Sequence, residues 1–163
     1  MKTLLIVYHS LTGGSLQMAQ AAMAGTLDEP ALNARLLHAP DARADDVLAA
    51  DGYIFATPEN LGSMSGLLKD FFDRTYYAAL DRVNGRPYAT LICAGTDGSG
   101  AARQIARIAT GWRLKPVAEP LIVCTHAQTP EAILQPKIIA TRELALCAEL
   151  GAALASGIAL GVF

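Results

Sequence analysis

Three short stretches of this chain are apolar at nearly every position: "TLLIVY" (3–8), "GYIFAT" (52–57) and "YATLICA" (88–94). A strand that is apolar on both faces has to be covered on both faces. That is the condition of a parallel sheet held between two layers of helices. Two further β-rich runs, "NARLLHA" (33–39) and "AEPLIVCTH" (118–126), complete a set of five. Helical stretches lie between them. Leu67, Leu68, Phe71, Phe72, Tyr76 and Ala79 recur at helical spacing, as do Leu146, Leu150, Leu154 and Ile158. "DARADD" ahead of Val47 starts a short helix with acidic residues in its first turn, where the helix dipole favours them. The order β-α-β-α-β-α-β-α-β-α predicts an α/β fold with helices on both sides of the sheet. With no repeat, linker or low-complexity tract, the 163 residues read as one domain, 1–163.

Composition removes several classes of function. Apolar residues make up 52% of the chain and the formal net charge is −2, so a compact core is expected and a disordered chain is not. The charge balance also gives no basic face for nucleic acid. Cys93, Cys124 and Cys147 are far apart, odd in number and flanked by apolar residues. They read as buried thiols in a reducing compartment, here the cytoplasm. The three histidines lack metal-ligand spacing. "MKTLLIVYHS" is too short in its apolar run for a signal peptide. Leu144 to Phe163 has the length of a membrane helix, but Glu149 interrupts it and Ala and Gly dilute it. It reads as a final helix against the core plus a short tail, so no membrane span is expected.

In an open α/β sheet, ligands sit beyond the carboxyl ends of the strands, at the switch in strand order. Three segments of unusual composition leave strand ends here: Ser10–Ser15, Pro58–Gly66 and Gly95–Gly100. The first carries neither GxxxxGK[ST] nor GxGxxG, so the triphosphate and dinucleotide fingerprints are absent. What remains is Ser10, Thr12, Gly13, Gly14 and Ser15 ahead of a helix. Curled amides, hydroxyl donors and a helix N-terminus suit a compact terminal phosphate held without a positive side chain. The same residues would also serve as a plain Gly/Ser turn that caps the helix.

"SLTGGS" resembles the phosphate loop of flavodoxin-like FMN proteins, where hydroxyl residues and a TG step hold this place. "TPENLGSMSGLLKDFFDR" (57–74) resembles the corresponding segment of NADPH-dependent FMN reductases and flavodoxin-like quinone reductases. "AGTDGSGAARQ" (94–104) resembles their Gly-rich loop after the fourth strand. The resemblance covers nearly the whole chain in the right order. It implies a flavodoxin-like, doubly wound, five-stranded parallel sheet of order 2-1-3-4-5, with FMN as cofactor. Ser10, Leu11, Thr12, Gly13, Gly14 and Ser15 would wrap the FMN phosphate. Pro58, Glu59, Asn60, Leu61, Gly62 and Ser63 would line the isoalloxazine, partly through backbone groups. Gly95, Thr96, Asp97, Gly98 and Gly100 would flank its other side. Some relatives hold FAD, so that group stays open beside FMN.

Other side chains have plain readings. Glu59 reads as a solvated loop carboxylate and Asp97 as a ribityl contact or a turn residue. The side chain of His9 is expected to point away from the phosphate loop. Arg74, Arg82 and Arg86 read as solvated surface, with a dinucleotide-phosphate or subunit rim as the other reading. Trp112 reads as core packing.

Two functions remain, and fold alone does not choose between them. One is an NAD(P)H-dependent oxidoreductase passing electrons to a quinone or similar small acceptor. The other is an electron shuttle docking on redox partner proteins. A homo-oligomer fits either. Flavodoxin shuttles are typically very acidic and usually bracket the ring with Trp or Tyr. Here the sequence pI is about 5.9 and no aromatic residue lies in 58–66 or 95–100. The sequence favours the oxidoreductase, with the flavin performing the chemistry and no side-chain nucleophile. The purified protein is expected to carry FMN noncovalently, near one per chain. Denaturation and chromatography of the released chromophore check this. Apoprotein that neither quenches FMN fluorescence nor gains thermal stability from it would refute it.

Overall fold

A computed structural model describes all 163 residues. The five expected strands are present as β1 (Lys2–Tyr8), β2 (Leu32–His38), β3 (Gly52–Asn60), β5 (Pro87–Ala94) and β7 (Leu121–Cys124). Two short strands join them, β4 (Ser63–Met64) and β6 (Lys115–Pro116). The helices are α1 (Gly14–Gly25), α2 (Ala44–Ala49), α3 (Gly66–Ala79), α4 (Ser99–Gly111), α5 (Pro130–Leu134) and α6 (Thr141–Leu160).

The parallel sheet runs β2-β1-β3-β5, and β5 then carries both β6 and β7 on its far edge. Counted by the five main strands, this is the order 2-1-3-4-5. The fifth strand comes in two pieces: Lys115–Pro116 beside Pro87–Tyr88, then Leu121–Cys124 beside Leu91–Ala94. Pro116 and Pro120 flank the break, and a proline has no N–H to give a ladder. The chain leaves β1 towards β2 and returns on the other side as β3. The carboxyl ends of β1 and β3 therefore open a crevice at the switch.

The two faces of the sheet are packed differently. One face holds an aromatic core, in which Phe72 meets Phe55 edge-on at 4.9 Å between ring centres and Trp112 at 5.5 Å. Trp112 is fully buried, as core packing requires. The other face is built from small residues of α1 and α6 beneath Leu4, Ile6 and Leu91. There the helix backbones nearly touch. A Cβ on Gly25 would overlap the Ala148 carbonyl, and one on Gly151 would overlap the Ala22 carbonyl. This close approach sets which face of α6 is buried. Cys147, Gly151, Leu154, Ala155 and Ile158 face inward, whereas Leu146 is exposed and Leu150 half-buried. The Leu146–Leu150–Leu154–Ile158 stripe read from the sequence thus lies rotated off the contact at its first two members, because glycine and alanine admit the neighbouring helix where leucine would not. By length and composition α6 could cross a membrane. In the structure it is the partner of α1.

Two of the three arginine expectations change. Arg74 donates to the Ala42 and Ala39 carbonyls at 3.0 and 2.9 Å, and pairs with Asp70. Arg86 donates to the Val47, Leu48 and Ala50 carbonyls at the end of α2. Both are spent inside the fold, because helix-terminal and loop carbonyls need donors. Arg82 stays exposed, as the sequence suggested. The α1–α6 contact yields a stability prediction. Gly151→Ala should cost about 1–3 kcal/mol, the usual range for overpacking, read as a lower urea midpoint at unchanged slope.

Candidate functional site

Two helices begin at the crevice. Their N-termini are treated in opposite ways. Helix α4 starts after Gly98, and amides at its start are taken by Glu59 from the end of the neighbouring β3. Glu59 Oε1 accepts from the Gly98 amide at 2.9 Å and Oε2 from the Ala101 amide at 3.0 Å. Helix α1 starts after Gly13, whose φ of 91° only glycine adopts cheaply. No side chain caps it and its first turn holds no acidic residue. Ser10 Oγ accepts from the Gly13 amide at 3.0 Å and shapes the turn. Ser15 is buried, and its hydroxyl has no hydrogen-bond partner. Orphan amides and an orphan hydroxyl together form a donor set that lacks its acceptor.

Glu59 is therefore not the solvated carboxylate expected from the sequence; it ties the end of β3 to the opening of α4. Asp97 is the turn residue of the two readings, bonded to the amide and hydroxyl of Ser99 at 3.1 and 2.8 Å. Those bonds hold its carboxyl below the usual carboxylate range. The ring of His9 stacks on His38 at 5.6 Å. Burial and the neighbouring imidazole lower its pKa.

Between the loops lies a cleft of about 310 Å³. Thr12, Pro58, Glu59, Asn60, Leu61 and Gly95 line it, so all three predicted segments meet at one place. Pro58, Glu59 and Asn60 belong to β3 rather than to a loop, because β3 turns back at Leu61 and Gly62 and pairs with β4, Glu59 against Met64 and Asn60 against Ser63. Gly62 and Ser63 lie on the far side of this hairpin, outside the lining. Leu11 and Thr96 are exposed beside the cleft. Gly13, Gly14 and Ser15 form the uncapped turn, and Gly98 and Gly100 belong to the opening of α4. Gly14 has no room for a side chain, since a Cβ there would overlap Cys93 Sγ. Cys93 forms the floor, and burial raises its thiol pKa.

The far wall was missing from the sequence reading. Thr125, Ala127, Ile133 and Lys137 complete the cleft. Lys137 donates its amide to the Thr12 carbonyl at 2.8 Å. Gln17 bridges the Gly13 and Lys137 carbonyls and accepts from the Ile139 amide. Lys137 Nζ itself caps α5, on the Ala132, Ile133 and Gln135 carbonyls. The one available signal was Thr129-Pro130-Glu131, a helix start of N-cap, proline and acid. Nothing local said that this helix would face Thr12.

A twisted parallel sheet of this order, with a crevice at its switch point and an uncapped glycine turn beside it, defines a flavodoxin-like nucleotide-binding protein. A family model for NADPH-dependent FMN reductase matches residues 11–128, and the chain belongs to that family. Its cofactor is FMN. The residues present fit the group: the unclaimed donors at Gly13–Ser15 suit a phosphate monoester, and the cleft beyond them suits a flat ring. Among curated relatives, the chain is 30% identical to a flavodoxin of Aquifex aeolicus, over 61% of this chain and 54% of that one. It is 35% identical to an NAD(P)H dehydrogenase (quinone) of Acidithiobacillus ferrooxidans, over 46% of this chain and 48% of that one. The chain thus spans about half the length of these relatives. A solved flavodoxin from the domain Archaea superposes with a TM-score of 0.77 at 20% identity, covering 96% of this chain and 98% of that one.

Ser15 separates the fold from the site. Ser15→Ala removes a buried hydroxyl that has no partner, so apoprotein stability should hold or rise. FMN affinity should fall about tenfold, and riboflavin affinity should not change. Calorimetry of the apoprotein and flavin titrations read the two effects separately.

Proposed function

We propose that this chain is an NAD(P)H-dependent FMN oxidoreductase that passes electrons to a quinone or similar small acceptor. It acts as one flavodoxin-like unit over residues 1–163, in the cytoplasm. The observation that carries this reading is the lining of the cleft. It contains no aromatic side chain, and Leu61 is fully exposed at its mouth. A nicotinamide or quinone ring can then approach within the roughly 3–3.5 Å of a near-attack geometry without displacing a stacked side chain.

On this reading Ser10–Ser15 take the phosphate with backbone amides and hydroxyls. Pro58–Leu61 and Gly95 flank the ring, and the 125–137 wall closes the third side. The chemistry that bound FMN supplies is hydride acceptance from the nicotinamide and electron delivery to the acceptor. The protein's share is orientation and fixed dipoles. Thr12, Gly95 and the hairpin backbone present polar groups, while Pro58, Leu61, Ala94 and Ile133 present apolar surface to the cleft. No side chain in the cleft is required to form a covalent bond.

Mixing the FMN-loaded protein with NADH or NADPH without oxygen should bleach the flavin absorbance, and a benzoquinone should restore it. Gly98→Leu would drive a side chain into Ile122, already within overlap distance of a Cβ there, and should slow both half-reactions by disturbing the ring-side loop. Stopped-flow absorbance reads both. Flavin that dithionite reduces but neither nucleotide does would assign the chain to electron shuttling with protein partners.

A further inference from the structure

The hairpin that presents Leu61 is fastened to α4 at three points. Glu59, at its base, occupies the N-terminus of that helix through the Gly98 and Ala101 amides. At its tip the Gly62 carbonyl lies so close to Gly100 that a Cβ on Gly100 would overlap it. On its return strand Gln104 holds both Met64 and Ser63. Gln104 Oε1 accepts from the Met64 amide at 2.9 Å, and Nε2 donates to Ser63 Oγ at 3.3 Å.

The turn held in this way is strained. Leu61 has φ of 53° and Gly62 of 73°. Two successive positive φ values make the tight turn that suits a two-residue hairpin, where Asn, Asp or Gly is the favoured first residue. A leucine there carries a backbone penalty, and its side chain, fully exposed, recovers nothing from burial. Such strain persists only where surrounding contacts fix it. Here those contacts come from Glu59, Gly100 and Gln104. Nothing in the core needs the Leu61 side chain.

We propose that Gln104 is a positioning residue for the flavin site: it fixes the strained Leu61–Gly62 turn, and hence the hairpin backbone, in the orientation that meets the ring. The proposal rests on the flavin-oxidoreductase reading of the same cleft. Gln104 does not line the cleft and acts only through Ser63 and Met64. The hairpin and the Gly-rich loop are both anchored to α4, so the ring-side geometry is set from a helix whose outer face is in solvent. Loss of Gln104 should leave the phosphate turn, on the opposite side of the crevice, unchanged. It should loosen the fixed dipoles that favour the more negative, reduced flavin.

The test uses FMN-loaded wild type, Gln104→Ala and Gln104→Met. The Met variant keeps a long, uncharged side chain but offers nothing to the Met64 amide or the Ser63 hydroxyl, so it should behave like the Ala variant. The readouts are the two-electron midpoint potential, obtained by equilibration with reference dyes, and KM against kcat for the nicotinamide. For Gln104→Ala we expect the affinity for reduced FMN to drop about tenfold relative to oxidised FMN, a fall of about 30 mV for a two-electron couple. The preference for FMN over riboflavin should hold, KM should rise more than kcat falls, and Gln104→Met should show the same fall in potential. A lower apoprotein melting temperature with potential and KM unchanged would make Gln104 merely structural and overturn the proposal. So would a Met variant that keeps the wild-type potential and KM. Wild type that binds FMN but is not reduced by either nucleotide defeats the oxidoreductase reading, while the potential still decides the role of Gln104. Wild type that takes up no FMN defeats both.

Discussion

The site depends on an unequal distribution of one scarce resource, acceptors for the amides that open a helix. Each α-helix begins with N–H groups that have no partner within it. Ser65 serves α3 and Thr129 serves α5. At the crevice, Glu59 serves α4 and no side chain serves α1. Both helices point positive ends at the same opening, but a carboxylate already neutralises one. An anion entering the crevice therefore finds its donors at Gly13–Ser15. On the proposed reading, that difference fixes the phosphate end of the ligand, and the ring end follows from it.

The same carboxylate has a mechanical role. It converts two loops into one body, together with Gly100 and Gln104. The cleft thus has one wall rooted in β3 and α4 and another made by the 125–137 segment. That second wall is joined to the phosphate turn by Gln17 and by the Lys137–Thr12 backbone bond. Small residues recur where these parts meet. Gly14 lies against Cys93, and Gly100 against the Gly62 carbonyl. Away from the site, Gly25 and Gly151 do the same for α1 and α6. The tight seating of α1 on α6 holds the helix whose first turn carries the unclaimed donors.

How much of this was legible before the structure depends on the range of the forces involved. Three nearly continuous apolar runs and two β-rich ones located five strands, and their alternation with helical periodicity determined the α/β class. Hydroxyls and glycines at Ser10–Ser15 located the turn that opens α1, because the need for curled backbone and small residues is written locally. Trp112 was placed correctly in the core by its apolar setting. These are properties of single segments, governed by backbone sterics and by which side chains avoid water.

Tertiary structure decided the pairings. Glu59 looks like any loop carboxylate until α4 is brought beneath it, 39 residues further along the chain. Arg74 and Arg86 look solvated until the carbonyls of 39–50 are set against them. Lys137 reaches Thr12 only because β7 lies beside β5 and carries the following segment back over the crevice. The buried face of α6 was misread for the same reason, since the choice between the leucine stripe and the Cys147–Gly151–Ala155 side rests on the surface of α1. Hydrogen bonds and close backbone contacts are short-ranged in space but unrestricted along the chain. The sequence by itself could therefore specify the elements and the turn that opens α1, while the partners that charge, cap and rigidify the cleft appear only when the sheet brings distant segments together.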